Sequence, residues 1–140
     1  EFVVRYRTNR PGLAAIALTT DTSALTAIGN DFGFDALFAR QVEALCRAGD
    51  VAIGLSTSGN SENVIRGLQA AKAAGAVTDA FTREGGGRLA GQVDLGFFIP
   101  SKVTARIQEM HLMLGHVLCA LLEREMCTMA GPPRSSQDQR

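Results

Sequence analysis

Apolar positions along this chain switch repeatedly between short continuous runs and helical spacing. Leu13 to Thr20 is almost wholly apolar and is entered through the turn Arg10-Pro11-Gly12, which predicts a buried strand. From Asp35 to Ala48, Leu37, Phe38, Val42 and Leu45 recur at helical intervals, and the run ends at Gly49-Asp50. Val51 to Leu55 reads as a second strand, followed by the polar stretch Ser56-Thr-Ser-Gly-Asn-Ser61. Glu62 to Ala74 is a predicted helix with Val64, Ile65, Leu68 and Ala71 on one side, closed by Gly75. A third strand is expected within Ala76–Thr82, then a glycine turn at Gly85-Gly86-Gly87, and a fourth strand at Leu95–Ile99, stopped by Pro100. Strands alternating with helices predict an α/β fold, a parallel sheet with helices on both faces.

The longest predicted helix runs from Thr104 to about Met126. At about 100° per residue, Ile107, Met110, His111, Leu114, Leu118, Leu121 and Leu122 gather on one side. Leu112, Gly115 and Cys119 form a second apolar face, flanked by Gln108 and His116. A helix apolar nearly all round is buried all round. One face should pack on the sheet and the other on a partner subunit, so the helix predicts an oligomer. Beyond it, residues 131–140 read as a polar C-terminal tail, leaving one domain over 1–130.

Charge and composition narrow the function. The 140 residues carry 14 basic and 14 acidic side chains, a balance that disfavours nucleic acid or an anionic membrane as main partner. No apolar run approaches the roughly 20 residues of a membrane span, and no secretory signal pattern is present, which leaves a cytoplasmic domain as the expectation. Three cysteines without a CxxC pair make a poor disulfide framework.

The stretch Ser56–Ser61 sits between a strand and a helix, at the sheet end where open parallel sheets bind ligands. Four hydroxyls and the free N–H groups of a helix start favour an anion, with a phosphate monoester the best fit; a Ser-rich turn with a helix cap is the plainer reading. The Walker pattern GxxxxGK[ST] is absent. Gly85-x-Gly87-x-x-Ala90 nominally matches a dinucleotide fingerprint, but Asp94 comes too soon for the ribose carboxylate, so a glycine turn is the better account. His111 lies on the main apolar stripe and reads as a buried histidine. His116 lies off it and reads equally as ligand or packing residue. Gln108 and His116, eight residues apart, stand roughly 12 Å apart along a straight helix, so one small ligand meets both only if side chains converge or subunits share the site. Asn30-Asp31 is either an Asx turn or a hydroxyl-binding pair.

Taken together, Ile53-Gly-Leu-Ser-Thr-Ser-Gly-Asn-Ser61, Ala27-Ile-Gly-Asn-Asp-Phe-Gly33, Glu84-Gly-Gly-Gly-Arg-Leu-Ala-Gly91 and Ala105-Arg-Ile-Gln-Glu-Met-His111 resemble the sugar isomerase (SIS) domain family, in particular its phosphoheptose isomerases. The similarity runs from Glu1 to about Glu125. It implies a flavodoxin-like sheet and a cytoplasmic homotetramer with active sites between subunits. The implied reaction interconverts sedoheptulose 7-phosphate and D-glycero-D-manno-heptose 7-phosphate, supplying heptose for lipopolysaccharide or related glycans. By the same resemblance, Ser56, Thr57, Ser58 and Ser61 match a phosphate-binding loop, and Asn30 and Asp31 match sugar contacts. Glu1 matches a catalytic base and zinc ligand, Gln108 a substrate and zinc ligand, and His116 the second catalytic residue and zinc ligand. One Zn²⁺ per subunit is therefore the implied cofactor, although Gln is an unusual ligand for it.

The departures from the family set further expectations. Its N-terminal helices, first strand, Gly-Asn-Gly-Gly-Ser loop and a histidine four residues before Glu1 are not in this sequence, so a truncated chain, inactive and poorly stable alone, is expected. Asp79 stands inside the third strand where the family has an apolar residue, and Arg83 where it usually has Gly. Two other classes share parts of the pattern: a non-catalytic protein-binding module of the replication-initiator-associating type, and a sugar-phosphate-sensing regulatory domain. His116 and the uncharged Ser58 favour the enzyme.

Overall fold

Three of the four runs read as strands pair into one parallel sheet in the order β1 (Val51–Leu55), β2 (Val77–Arg83), β3 (Leu95–Ile99). The structure, a computed structural model, describes residues 1–129, and the tail expected over 131–140 lies outside them. The helices are α1 (Thr22–Asp31), α2 (Leu37–Leu45), α3 (Glu62–Ala73) and α4 (Thr104–Met129). The chain divides into two units: residues 17–111, and residues 1–16 with α4 from Leu112 onward.

In the larger unit α3 carries the chain from β1 to β2, the crossover that parallel neighbours require. Its apolar side packs on the sheet through Ile65 and Leu68 against Ala80 and Leu89, a cluster shared with Ala52 and Val93. Burying a side chain of this size contributes about 1.5–3 kcal/mol. A second cluster joins Ala71 and Ala76 to Val42 of α2, with Leu18 packed against it. On the opposite face Phe81 meets Phe97 edge-on at 5.1 Å and His111 of α4 at 5.9 Å. Elsewhere on that face Asp79 is buried while Val51, Ile53, Leu55 and Leu95 are exposed, and among the described residues β1 forms a free edge.

Leu13 to Thr20 is not a strand. The segment has no ladder partner, and Ile16 is 70% exposed. An apolar run supplies β propensity, but only pairing with a neighbouring strand satisfies its N–H and C=O groups, and this run pairs with none of β1 to β3. Conversely, α1 arises where the pattern gave no element. Its N-cap Asp21 accepts the Ala24 N–H at 3.0 Å, and none of its residues is buried, so it has no apolar stripe for periodicity to detect. In α2, Leu45 is exposed while Gln41 is buried in its place, donating to Leu18 O at 3.1 Å and Leu37 O at 2.9 Å.

Asp94 ties the entrance of β3 to β2. Its carboxylate accepts the Thr78 N–H at 2.9 Å and hydroxyl at 2.8 Å, and pairs with Lys72 at 3.1 Å. These contacts, Thr78 first, hold its pKa down to about 2.

The smaller unit has no strand among its described residues, and its first 16 residues form neither helix nor strand. One carboxylate organises them. Glu123 of α4 accepts the N–H groups of Tyr6 at 3.2 Å, Arg7 at 2.9 Å and Thr8 at 3.0 Å, and pairs with Arg10 at 3.5 Å. Burial works to raise its pKa, but these donors outweigh burial and hold it below the usual carboxylate range. Along this part of α4, Leu112, Met113, Val117 and Leu121 are exposed, so in the single chain the helix is not buried all round.

Candidate functional site

β1 ends at Leu55, and the chain turns through Ser56–Ser61 into α3 at the carboxyl end of the sheet. Ser56 is buried and forms the hub of the loop. Its Oγ lies 2.9 Å from Ser61 Oγ and 3.5 Å from Ser58 Oγ, and accepts the Gly59 N–H at 3.1 Å. Ser58 Oγ accepts the Asn60 N–H at 3.1 Å. Thr57 is half-buried beside them. Ser61 is the N-cap residue of α3, yet its hydroxyl faces Ser56 and makes no cap bond. The helix start therefore keeps its partial positive charge without a cap from Ser61, although Asn63 Oδ1 accepts the Val64 N–H at 2.8 Å, next to hydroxyls that can rotate to donate.

The loop has no cation of its own, but its rim has two. Glu62, in the first turn of α3, is held by Arg66 at 2.9 Å and Arg88 at 2.7 Å. Hydrogen bonds from Arg66 and Arg88 push its pKa down, so the carboxylate is charged at neutral pH. Arg66 also pairs with Asp35 at 3.8 Å, so two guanidinium groups stand against two carboxylates and the rim is balanced in charge. An anion is favoured at the loop on two counts: hydroxyl donors and a helix N-terminus.

The other sequence-predicted residues fall into separate places. Asn30 and Asp31 lie in the last turn of α1 rather than in a turn of their own; both are exposed, and Asn30 Nδ2 donates to Asp31 Oδ1 at 2.8 Å. Gln108 is exposed on α4, within the larger unit. His111 is buried as its position on the apolar stripe predicted. Burial lowers its pKa, which keeps it neutral, and its Nε2 has no partner. Glu1 and His116 belong to the smaller unit and both are exposed. The ring stacked on His116 is that of Tyr6, at 6.0 Å and 24°, with the Arg7 guanidinium 5.2 Å over Tyr6. Tyr6 escaped the sequence reading because nothing in a segment without regular structure signals which side chain meets which helix.

Among the described residues no group of three or more His, Cys, Asp and Glu could hold a metal ion. The set Glu1, Gln108 and His116 offers one carboxylate, one imidazole and an amide, which is two good zinc ligands where a catalytic site uses three. This donor set does not fit a complete zinc site within one chain, and no chemical step below is routed through a metal. No helix among the described residues is long and apolar enough to cross a membrane.

A family model described as SIS domain matches residues 1–83, more than half of the chain. The phosphoheptose isomerase of Aquifex aeolicus is 60% identical over 127 residues, 91% of this chain and 66% of that protein. That of Paramagnetospirillum magneticum is 54% identical over 123 residues, 88% of this chain and 64% of that protein. Among solved structures, a phosphoheptose isomerase from Francisella tularensis superposes with a TM-score of 0.85 at 35% identity, covering 89% of this chain and 66% of that one. The enzyme from Neisseria gonorrhoeae does so with a TM-score of 0.76 at 54% identity, covering 78% and 62%. The chain thus spans just under two thirds of the length of these relatives.

Proposed function

Because this chain belongs to the SIS domain family, we propose that it is the phosphate-binding part of an aldose–ketose isomerase acting on sedoheptulose 7-phosphate. The observation that carries the reading is the Ser56, Ser58 and Ser61 hydroxyl cluster at the uncapped start of α3. A phosphate monoester there would anchor the sugar, and we take the proton-exchanging residues to be supplied within the assembled protein. In the ketose-to-aldose direction a base removes a proton from C1 while an acid protonates the C2 oxygen, giving a 1,2-enediol. The O1 proton then leaves as a proton is returned to C2, and the aldehyde forms. We assign the base to Glu1 and the second proton-transfer group to His116, whose ring Tyr6 holds from one side. Asn30 and Asp31, with Gln108, would bind the sugar hydroxyls. Zn²⁺ enters the proposal only as an accessory ion of the assembled protein, and the proton transfers are written without it.

The exposed Leu112, Met113, Val117 and Leu121 support association with further copies, and we take the assembly to be a homotetramer with shared sites. The bare edge and face of β1 lead us to expect low stability and low turnover from the chain alone at dilution. On the family resemblance we place it in the cytoplasm, in heptose supply for cell-envelope glycans. The test is conversion of sedoheptulose 7-phosphate at increasing chain concentration. Turnover per chain should rise with concentration, and His116→Ala should lower it by about 10²-fold or more. Equal turnover by the variant would remove His116 from the reaction. A chain extended to the full length of its relatives that binds the ketose phosphate without converting it would end the isomerase reading.

A further inference from the structure

The Ser56–Ser61 loop contains no cation, and its own contacts are two between hydroxyls and three in which the Gly59 and Asn60 N–H groups donate to Ser56 and Ser58 oxygens. A second segment also fixes its shape. Two hydrogen bonds come from the turn after β2: the Arg88 N–H donates to Asn60 Oδ1 at 2.9 Å, and the Leu89 N–H donates to Gly59 O at 3.0 Å. The Leu89 side chain is fully buried in the cluster with Ile65, Leu68 and Ala80, so these amides are tied to the core. The two backbones also touch. A Cβ at Gly87 would lie 2.5 Å from Ser58 O and 2.8 Å from Asn60 Oδ1, and one at Gly59 would lie 2.0 Å from Gly86 O. Both glycines have φ in the left-handed region, 58° and 67°.

We infer that the turn Gly86–Leu89 is a clasp that holds the phosphate loop in its anion-ready shape, with Gly87 and Asn60 as its positioning residues. The inference rests on the phosphate reading above and goes beyond it by assigning the loop's preorganisation to a separate segment. A six-residue polar loop left free would lose conformational entropy each time an anion ordered it. Anchored at Ser58, Gly59 and Asn60 by a turn rooted in the core, it is already ordered when the anion arrives. The glycine run that superficially matches a dinucleotide fingerprint thus has another use: it lets one backbone lie against the other.

Titration of the full chain with inorganic phosphate, followed by the amide shifts of residues 56–61, tests this. Gly87→Ala is expected to weaken binding at least tenfold. Gly85→Ala is the matched control, because its φ is 76° in the same turn but its Cβ would meet nothing within 4 Å. It should bind within twofold of the wild type. Asn60→Ala removes the Arg88 acceptor without adding atoms, and should weaken binding several-fold; it carries the test if Gly87→Ala does not fold. With sedoheptulose 7-phosphate as substrate, the Asn60→Ala loss should fall on KM more than on kcat. Wild-type binding with Asn60→Ala undisturbed overturns the clasp alone, as does a Gly85→Ala loss equal to that of Gly87→Ala. A folded wild-type chain showing no saturable shift at the loop overturns the phosphate reading and the clasp with it.

Discussion

Replacing Asp79 with valine is expected to stabilise the chain by about 1–3 kcal/mol at neutral pH, the usual cost of a buried polar group left unsatisfied. Asp79 is 5% exposed in the middle strand, its register neighbours are Ile53 and Leu95, and its Oδ1 has no hydrogen-bond partner. Valine is close in volume and suits a strand. The effect depends on pH in a set direction. Burial raises the Asp79 pKa above its ordinary 3.8, so the folded state binds this proton more tightly than the unfolded chain. The penalty is therefore complete above the folded pKa and shrinks as pH falls through it toward 3.8. Urea unfolding of both proteins at pH 7 and pH 4 measures this. The advantage of Asp79→Val should be clear at pH 7 and smaller at pH 4. Groups common to both proteins, including the strongly acidic Asp94, cancel in the difference. A variant less stable at pH 7, or an advantage unchanged with pH, would contradict the account of Asp79 as a buried carboxylate with one unsatisfied oxygen, for which burial outweighs the hydrogen bond from the Ala80 N–H.

Ser56→Ala should weaken sugar-phosphate binding by about tenfold or more, equivalent to roughly 1.4 kcal/mol. Ser56 Oγ links Ser61 and Ser58 and accepts the Gly59 N–H, so its loss unties three positions of the loop rather than deleting one donor. The side chain is buried, and the methyl group of alanine leaves the Ser61 hydroxyl without its nearest partner. Ser61 could then turn back to cap α3, which would quench the helix start that the anion uses. Calorimetric titration with sedoheptulose 7-phosphate is the measurement. Unchanged affinity would mean that the hydroxyl cluster is only a packed turn.

How far the sequence revealed this arrangement depended on whether the information was local. β1 and β3 appear at their predicted limits, and α3 begins at Glu62 and is followed by Gly75, because period, cap and breaker all lie within a few residues. His111 was legible as buried for the same reason. Leu13–Thr20 misled because strand formation needs a partner that no local pattern names, and α1 was silent because an exposed helix has no stripe. At the site, Ser56–Ser61 was legible through its hydroxyls and its place after a strand. Asn60 and Gly87 were not: their roles come from contact between segments some 27 residues apart, and each alone looks like an ordinary turn residue. Asp79 was visible as an oddity, and the structure adds that it is buried with an unsatisfied oxygen.

A crystal structure of the chain with sedoheptulose 7-phosphate bears most directly on the central claim. The account predicts the phosphate group against Ser56, Ser58 and Ser61, receiving hydrogen bonds from their hydroxyls and from the first amides of α3. A well-ordered ligand whose phosphate lies elsewhere, with those hydroxyls still bonded to one another, would contradict it.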